Sequence, residues 1–137
     1  MKITICGSGR FKELIHDVCD DLTKEGFVVL KPPLHDMSFT KTLEPDQVLL
    51  AWKGATFAHL QRVAIGEVCV IVNPGGYMGT SSTLELGAAV AFRKLIIAFQ
   101  HDPEPAREGM FHFVLETDDR REAIRKLIRI LSASSVS

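Results

Sequence analysis

An α/β fold is predicted: one doubly wound parallel sheet of five strands, order 2-1-3-4-5, with helices on both faces in the flavodoxin-like or Rossmann-like manner. Three observations predict it. Short apolar runs alternate with segments whose apolar residues recur at helical spacing. The third run, Val68 to Val72, is β-branched almost throughout, which suits a strand covered on both faces. Glycine-rich loops follow the first and third runs, the strands between which the winding direction reverses in this order.

The elements follow in turn. Ile3 to Cys6 reads as a strand, and Phe11, Leu14, Ile15, Val18, Cys19 and Leu22 then repeat as a helix until Gly26. Phe27 to Leu30 is the second strand, ended by Lys31-Pro32-Pro33. Residues 34–54 carry little pattern and lead to a helix expected over Thr56 to Ile65. After the third strand, Asn73-Pro74-Gly75-Gly76 stops the chain abruptly, and a helix is expected from Ser82 to Arg93. Leu95 to Phe99 is the fourth strand, His101 to Gly109 a turn-rich stretch, and Phe111 to Leu115 the fifth strand. A last amphipathic helix, capped by Thr117 or Asp118, carries Ala123, Ile124, Leu127, Ile128 and Leu131. The domain is expected over residues 1–132, with 133–137 as a flexible tail.

Composition narrows the function. With 137 residues, 46% of them hydrophobic, the chain makes one core that buries roughly two-thirds of its unfolded surface. A net charge of -1, from 16 basic and 17 acidic residues, leaves no electrostatic footprint for nucleic acid or an anionic membrane. Small ligands or protein partners are expected. Three cysteines, Cys6, Cys19 and Cys69, fall inside apolar stretches and read as reduced, buried thiols of a cytosolic protein. The N-terminus is too short before its first glycine for a signal sequence, and no apolar run approaches the ~18 residues of a membrane span. A cytoplasmic location is expected.

Both glycine loops are candidate ligand sites. In Gly7-Ser8-Gly9-Arg10 the glycines free backbone N–H groups, Ser8 adds a hydroxyl and Arg10 a bidentate cation, a set that suits a phosphate as well as a simple turn. Lys12 stands where a dinucleotide fingerprint needs its third glycine, and the Gly-Lys-Ser/Thr of a P-loop is missing. The second loop offers Gly75, Gly76 and Gly79 for close approach, and Tyr77, Thr80, Ser81 and Ser82 as donors to sugar or phosphate oxygens. Glu85 admits two readings. Ser82-Thr83-Leu84-Glu85 matches a capping box, in which the carboxylate turns back to the helix start. The alternative directs it into the crevice as a nucleophile, kept ionised by the helix N-terminus.

The segments ICGSGRF and VNPGGYMGTSSTLELGAAVAFRKLII resemble the nucleoside 2-deoxyribosyltransferase-like superfamily, which includes the 2'-deoxynucleoside 5'-monophosphate N-glycosidases. The similarity follows most of the chain in order and spacing. It implies that Glu85, before Leu86-Gly87, is the nucleophile, that Gly7, Ser8, Gly9 and Arg10 hold a 5'-phosphate, and that the chain forms a homodimer or larger homo-oligomer. A fainter likeness joins PGGYMGTSSTLE to the PGG-x-GT-x-x-E motif of the cytokinin-activating phosphoribohydrolases. Here four residues instead of two separate Thr80 from Glu85, and the second motif of that family, GGG, is missing. A third reading is a nucleotide-binding regulatory module without catalysis.

The chemistry agrees with the first reading. Breaking an N-glycosidic bond develops oxocarbenium character at C1', which a carboxylate stabilises or traps, and the departing base needs a proton. Many members of that superfamily carry an aspartate shortly before the third strand; this chain offers His59 there, with Glu67 nearer the strand. His59 is the candidate proton carrier at neutral pH. His35-Asp36 and His101-Asp102 are loop pairs with no third ligand at metal spacing, so neither a metal nor a cofactor is expected. Trp52 and Phe57 suit either base stacking or packing, and Asp118 to Glu122 reads as a solvated helix start.

Overall fold

The computed structural model describes residues 1–33 and 37–135. Strands β1 (Lys2–Gly7), β2 (Val28–Leu30), β3 (Val68–Val72), β4 (Leu95–Ala98) and β5 (Phe113–Val114) form one sheet, every pair parallel, in the order β2-β1-β3-β4-β5. The expected order is the observed one. Helices α1 (Lys12–Lys24), α2 (Pro45–Ile65), α3 (Thr80–Ala91), α4 (Pro105–Glu108) and α5 (Arg120–Ser135) complete the fold.

Strand side chains alternate between the faces, and each face has its own apolar layer. Ile3, Ile5, Val70, Val72 and Phe99 pack with Ile15, Val18 and Leu22 of α1 and Leu127 and Leu131 of α5. On the other face, Cys6, Cys69, Ile71, Ile96 and Ala98 meet Val63 of α2 and Leu86 and Ala89 of α3. Every residue of β3 is buried, as its β-branched run implies.

Several boundaries differ from expectation. Helix α2 begins at Pro45, eleven positions before Thr56. Pro45 is preset for a first helical turn, and the Glu44 N–H donates to Gln47 Oε1 at 3.0 Å. The periodic signal fails there because the helix has no single apolar stripe: Leu49, Leu50, Trp52 and Phe57 all face outward. Helix α3 begins at Thr80, with the Thr83 N–H bonded to the Gly79 carbonyl at 3.0 Å. Ser82 and Glu85 are consequently interior residues of the helix, and the expected capping box does not form. The turn-rich stretch contains the one-turn α4, whose Glu104 accepts from the Ala106 N–H. Helix α5 is capped one residue later than expected, by Asp119 Oδ1 accepting from the Glu122 N–H at 2.8 Å. Far from being merely solvated, Arg120 at its start ties α5 to α1 through Asp17 Oδ2 at 2.9 Å. The expected domain end at residue 132 falls inside α5, and 136–137 lie outside the described residues, as does His35-Asp36. No helix among the described residues is long and apolar enough to cross a membrane.

Candidate active site

The parallel pairing of β1 with β3 sets Gly7 level with Val72, so both glycine loops leave the sheet at the same edge. They meet over a cavity of about 330 Å³, within the usual span of small-ligand pockets. Gly7, Ser8 and Gly9 form one wall, while Tyr77 and Gly79 with Thr80, Ser81 and Ser82 at the start of α3 form another. Glu85 completes the lining from the second turn of that helix. Sequence reasoning missed Pro32 and Pro33, which follow β2 onto the wall, and Ala55 and Thr56 of α2. Trp52 also lines the cavity, in keeping with its reading as a cover, whereas Phe57 lines only a groove on the outer side of α2.

Arg10 stands beside the cavity, its guanidinium carbon 4.0 Å from the centroid of the Tyr77 ring. Phe11 buttresses that ring edge-on at 5.9 Å. The Arg10 N–H donates to Ser8 Oγ at 3.2 Å, which fixes the turn that presents both residues.

Gly75 and Gly76 do not line the cavity. Gly75 turns its N–H toward Asp118 Oδ1 at 3.4 Å, and Gly76 packs so tightly that a Cβ there would stand 2.5 Å from the His101 carbonyl oxygen, at φ +82°. Their work is to fold the loop back against β4. The same junction is held by Asn73, fully buried, which donates to the Gln100 carbonyl at 2.9 Å and accepts from the Gln100 N–H at 3.0 Å.

Glu85 is 8% exposed, and its Oε2 is buried with no hydrogen-bond partner. Burial pushes its pKa up to about 7, against a smaller opposing contribution from Cys6. The expectation that the helix N-terminus holds it ionised is thus reversed. Glu85 sits beyond the first turn, where the helix dipole has faded, and desolvation dominates.

His59 lies behind Glu85, fully buried and off the cavity wall. Its Nε2 is 2.9 Å from the Ile5 carbonyl oxygen, 3.6 Å from Cys6 Sγ and 4.0 Å from Glu85 Oε2. The carbonyl requires a donor, so the neutral ring carries its proton on Nε2, and Nδ1 is buried without a partner. Burial, aided by the Arg62 charge, lowers the His59 pKa to about 4. At neutral pH His59 is uncharged, its one ring proton is held by the Ile5 carbonyl oxygen, and it has no face on the cavity from which to protonate a departing base. Glu67 lies before β3, at the opposite end of the sheet, accepting the Lys2 N–H at 3.2 Å. It cannot reach the site.

The three cysteines are free and buried, as expected. Cys6 also joins His59 and Glu85 in a buried cluster that no sequence spacing announces. Of the two His-Asp loop pairs, His101 bridges Glu108 and Glu116, and Asp102 pairs with Arg107 at 2.7 Å.

No family model matches the chain, and no curated protein matches it in sequence. Solved structures do. The Clostridium botulinum CMP N-glycosidase superposes with a TM-score of 0.63 at 16% identity, over 93% of this chain and 98% of that one. The 2-deoxyribosyltransferase of Bacillus psychrosaccharolyticus follows with 0.59 at 16% identity, over 90% of each chain. The chain shares their fold. Their names give the two activities, N-glycosidase and 2-deoxyribosyltransferase, that the resemblance of the ICGSGRF and TSSTLELG segments implies.

Proposed function

We propose that the protein breaks or transfers the N-glycosidic bond of a nucleoside or nucleoside 5'-monophosphate, with Glu85 as its nucleophile. The observation that carries this reading is the convergence of a buried carboxylate and two glycine loops on one cavity of nucleoside size. The shared fold supports it. The base lies against Trp52 and the prolines Pro32 and Pro33, the sugar above Glu85, and a 5'-phosphate at Gly7, Ser8 and Gly9 with Arg10 at the side. Thr80, Ser81 and Ser82 are within reach of sugar hydroxyls, and Tyr77 steadies Arg10.

In this scheme the ionised Glu85 attacks C1', the bond to the base nitrogen breaks with its electron pair leaving on the base, and the base takes its proton from water. A glycosyl ester at Glu85 results. Water or a second base then attacks C1' and releases the carboxylate. Holding the sugar and carboxylate in line supplies much of the rate, since the oxocarbenium centre forms beside a negative charge in a site of low dielectric. Two or more copies of the chain assemble through the outer face of α2, where Leu49, Leu50 and Phe57 are exposed.

One observation favours a second reading, a nucleotide-binding module without turnover: among the described residues Glu85 is the only acid on the cavity wall, and His59 stands behind it. A single assay separates the two. The protein is incubated with ribo- and deoxyribonucleosides and their 5'-monophosphates, with and without an acceptor base, and free or exchanged base is resolved by chromatography. Turnover by the wild type that disappears in Glu85→Ala is expected. No turnover on any substrate, with monophosphate binding unchanged in Glu85→Ala, would leave the binding module standing. Arg10→Ala is expected to lower affinity for monophosphates but not for nucleosides.

A further inference from the structure

Behind the cavity wall, three elements direct potential metal ligands at one another. Cys6 at the end of β1, His59 in α2 and Glu85 in α3 bring a sulfur, a ring nitrogen and a carboxylate oxygen within 4.8 Å of one another, all buried. Cys6 Sγ and His59 Nε2 are 3.6 Å apart, and His59 Nε2 and Glu85 Oε2 are 4.0 Å apart. Donor atoms bound at about 2.0–2.3 Å around a tetrahedral ion stand ~3.3–3.8 Å from each other, so the cluster closes on an ion by drawing its widest pair, within 4.8 Å, inward by about 1 Å. We propose that Cys6, His59 and Glu85 form a site for a borderline-soft divalent cation of the zinc type, which enters through the cavity and withdraws Glu85 from chemistry.

The donor set selects the ion. Thiolate, imidazole and carboxylate suit zinc and its transition-metal neighbours, whereas magnesium and calcium require oxygen ligands. Charge balance supports the site: one thiolate and one carboxylate neutralise a dication where an uncompensated charge would be costly. Glu85 Oε2, orphaned in the protein alone, gains a partner. Because Glu85 is on the cavity wall, an ion from solvent meets it first.

Binding releases the Cys6 thiol proton to solvent as the sulfur–metal bond forms. The Nε2 proton moves to Nδ1, so that Nε2 coordinates and the Ile5 carbonyl oxygen, 2.9 Å from it, faces the ion in place of the N–H. Cys69 Sγ, 3.5 Å from Cys6 Sγ, is placed to donate its S–H to the new thiolate. The inhibitory consequence rests on Glu85 being the nucleophile, whereas the binding does not.

The test is optical and uses the whole chain stripped with a chelator. Co²⁺ is titrated in, followed by Zn²⁺. One Co²⁺ per chain is expected, with a thiolate-to-cobalt charge-transfer band and tetrahedral d–d bands that Zn²⁺ abolishes. Cys6→Ser should lose the charge-transfer band and Cys19→Ser, in the other apolar layer, should keep it. If Cys6→Ser does not fold, Glu85→Gln tests the site instead, through weakened Zn²⁺ affinity. A wild type without the thiolate band, a band that survives Cys6→Ser, or equal affinity in Glu85→Gln overturns the site. In parallel, Zn²⁺ should suppress base release and a chelator restore it. A protein that shows the band but no turnover keeps the site and loses the nucleoside reading; turnover without a band does the opposite.

Discussion

His59 Nε2 and Glu85 Oε2 lie 4.0 Å apart with side chains 1% and 10% exposed, yet they do not form an ion pair. Burial moves both toward neutrality: the imidazole is charged below about 4 and the carboxylate above about 7. These ranges do not overlap, so over the interval between them both groups are uncharged. An uncharged pair is easier to bury than a salt bridge would be. It leaves the carboxylate unclamped on its cavity side, as the nucleophile proposed above requires.

The first prediction concerns Glu85 and alkaline pH, in chelator-treated protein. Its folded pKa of about 7 lies above the unfolded value of 4.5, so its contribution to stability is complete below 4.5 and is lost as pH rises through 7. The loss is on the order of 3 kcal/mol. Glu85→Gln mimics the protonated form and should raise the denaturation midpoint at pH 8 while making no difference at pH 4.5. Base release by the wild type should rise through pH 7 to a plateau. An advantage for glutamine that is equal at both pH values would mean that Glu85 is not desolvated.

His59 sets the opposite limit. Its folded pKa of about 4 lies below the unfolded 6.5, so the unfolded chain binds the extra proton between these values and stability falls as pH drops from 6.5 toward 4. His59→Gln keeps a donor for the Ile5 carbonyl and removes the titration. Urea midpoints measured from pH 7 to 4 should fall less steeply for this variant than for the wild type. Parallel curves would assign the acid sensitivity to other groups.

The sheet was legible because its strands are apolar runs that alternate with helical segments, the pattern of a doubly wound sheet, and in that strand order the CGSGR and TSSTLE loops share one cavity. Where reading failed, competing local signals were the cause. Helix α2 has apolar residues on every side, so its first half shows no stripe. Ser82 and Glu85 have the spacing of a capping box, but Gly79 stops the preceding turn earlier and Thr80 starts the helix, which moves Glu85 from the surface of a first turn to the interior of a second. The Cys6–His59 contact spans 53 residues and depends on where α2 crosses β1, which no spacing records. Nothing short of the packed helix shows that His59 backs Glu85 instead of facing the cavity.

Tyr77 should act through Arg10. An exposed guanidinium over an aromatic ring gains ~0.5–1 kcal/mol, or about two- to fivefold in affinity for whatever the cation binds. Tyr77→Phe keeps the ring and should preserve the preference for monophosphate over nucleoside. Tyr77→Ala should lower that ratio about two- to fivefold. In an Arg10→Ala background it should not lower it further. Independent losses in the double variant would show that Tyr77 contacts the ligand without involving Arg10.

The two glycines of the first loop should separate packing from ligand approach. A Cβ on Gly7 would stand 2.7 Å from Ile15 Cδ1 and 2.9 Å from the Val72 carbonyl oxygen. Ile15 can turn aside, but the carbonyl is fixed by the β1–β3 register, so Gly7→Ala should cost ~1–3 kcal/mol through overpacking. Gly9 has nothing within 4 Å, and Gly9→Ala should change stability by no more than about 0.5 kcal/mol. Because Gly9 lines the cavity, the same substitution should still weaken monophosphate binding. Urea denaturation paired with monophosphate titration reads both effects. A Gly9→Ala protein that binds monophosphate as the wild type does would place the phosphate elsewhere, while equal stability losses at both positions would trace the need for glycine to the turn and not to the Val72 carbonyl.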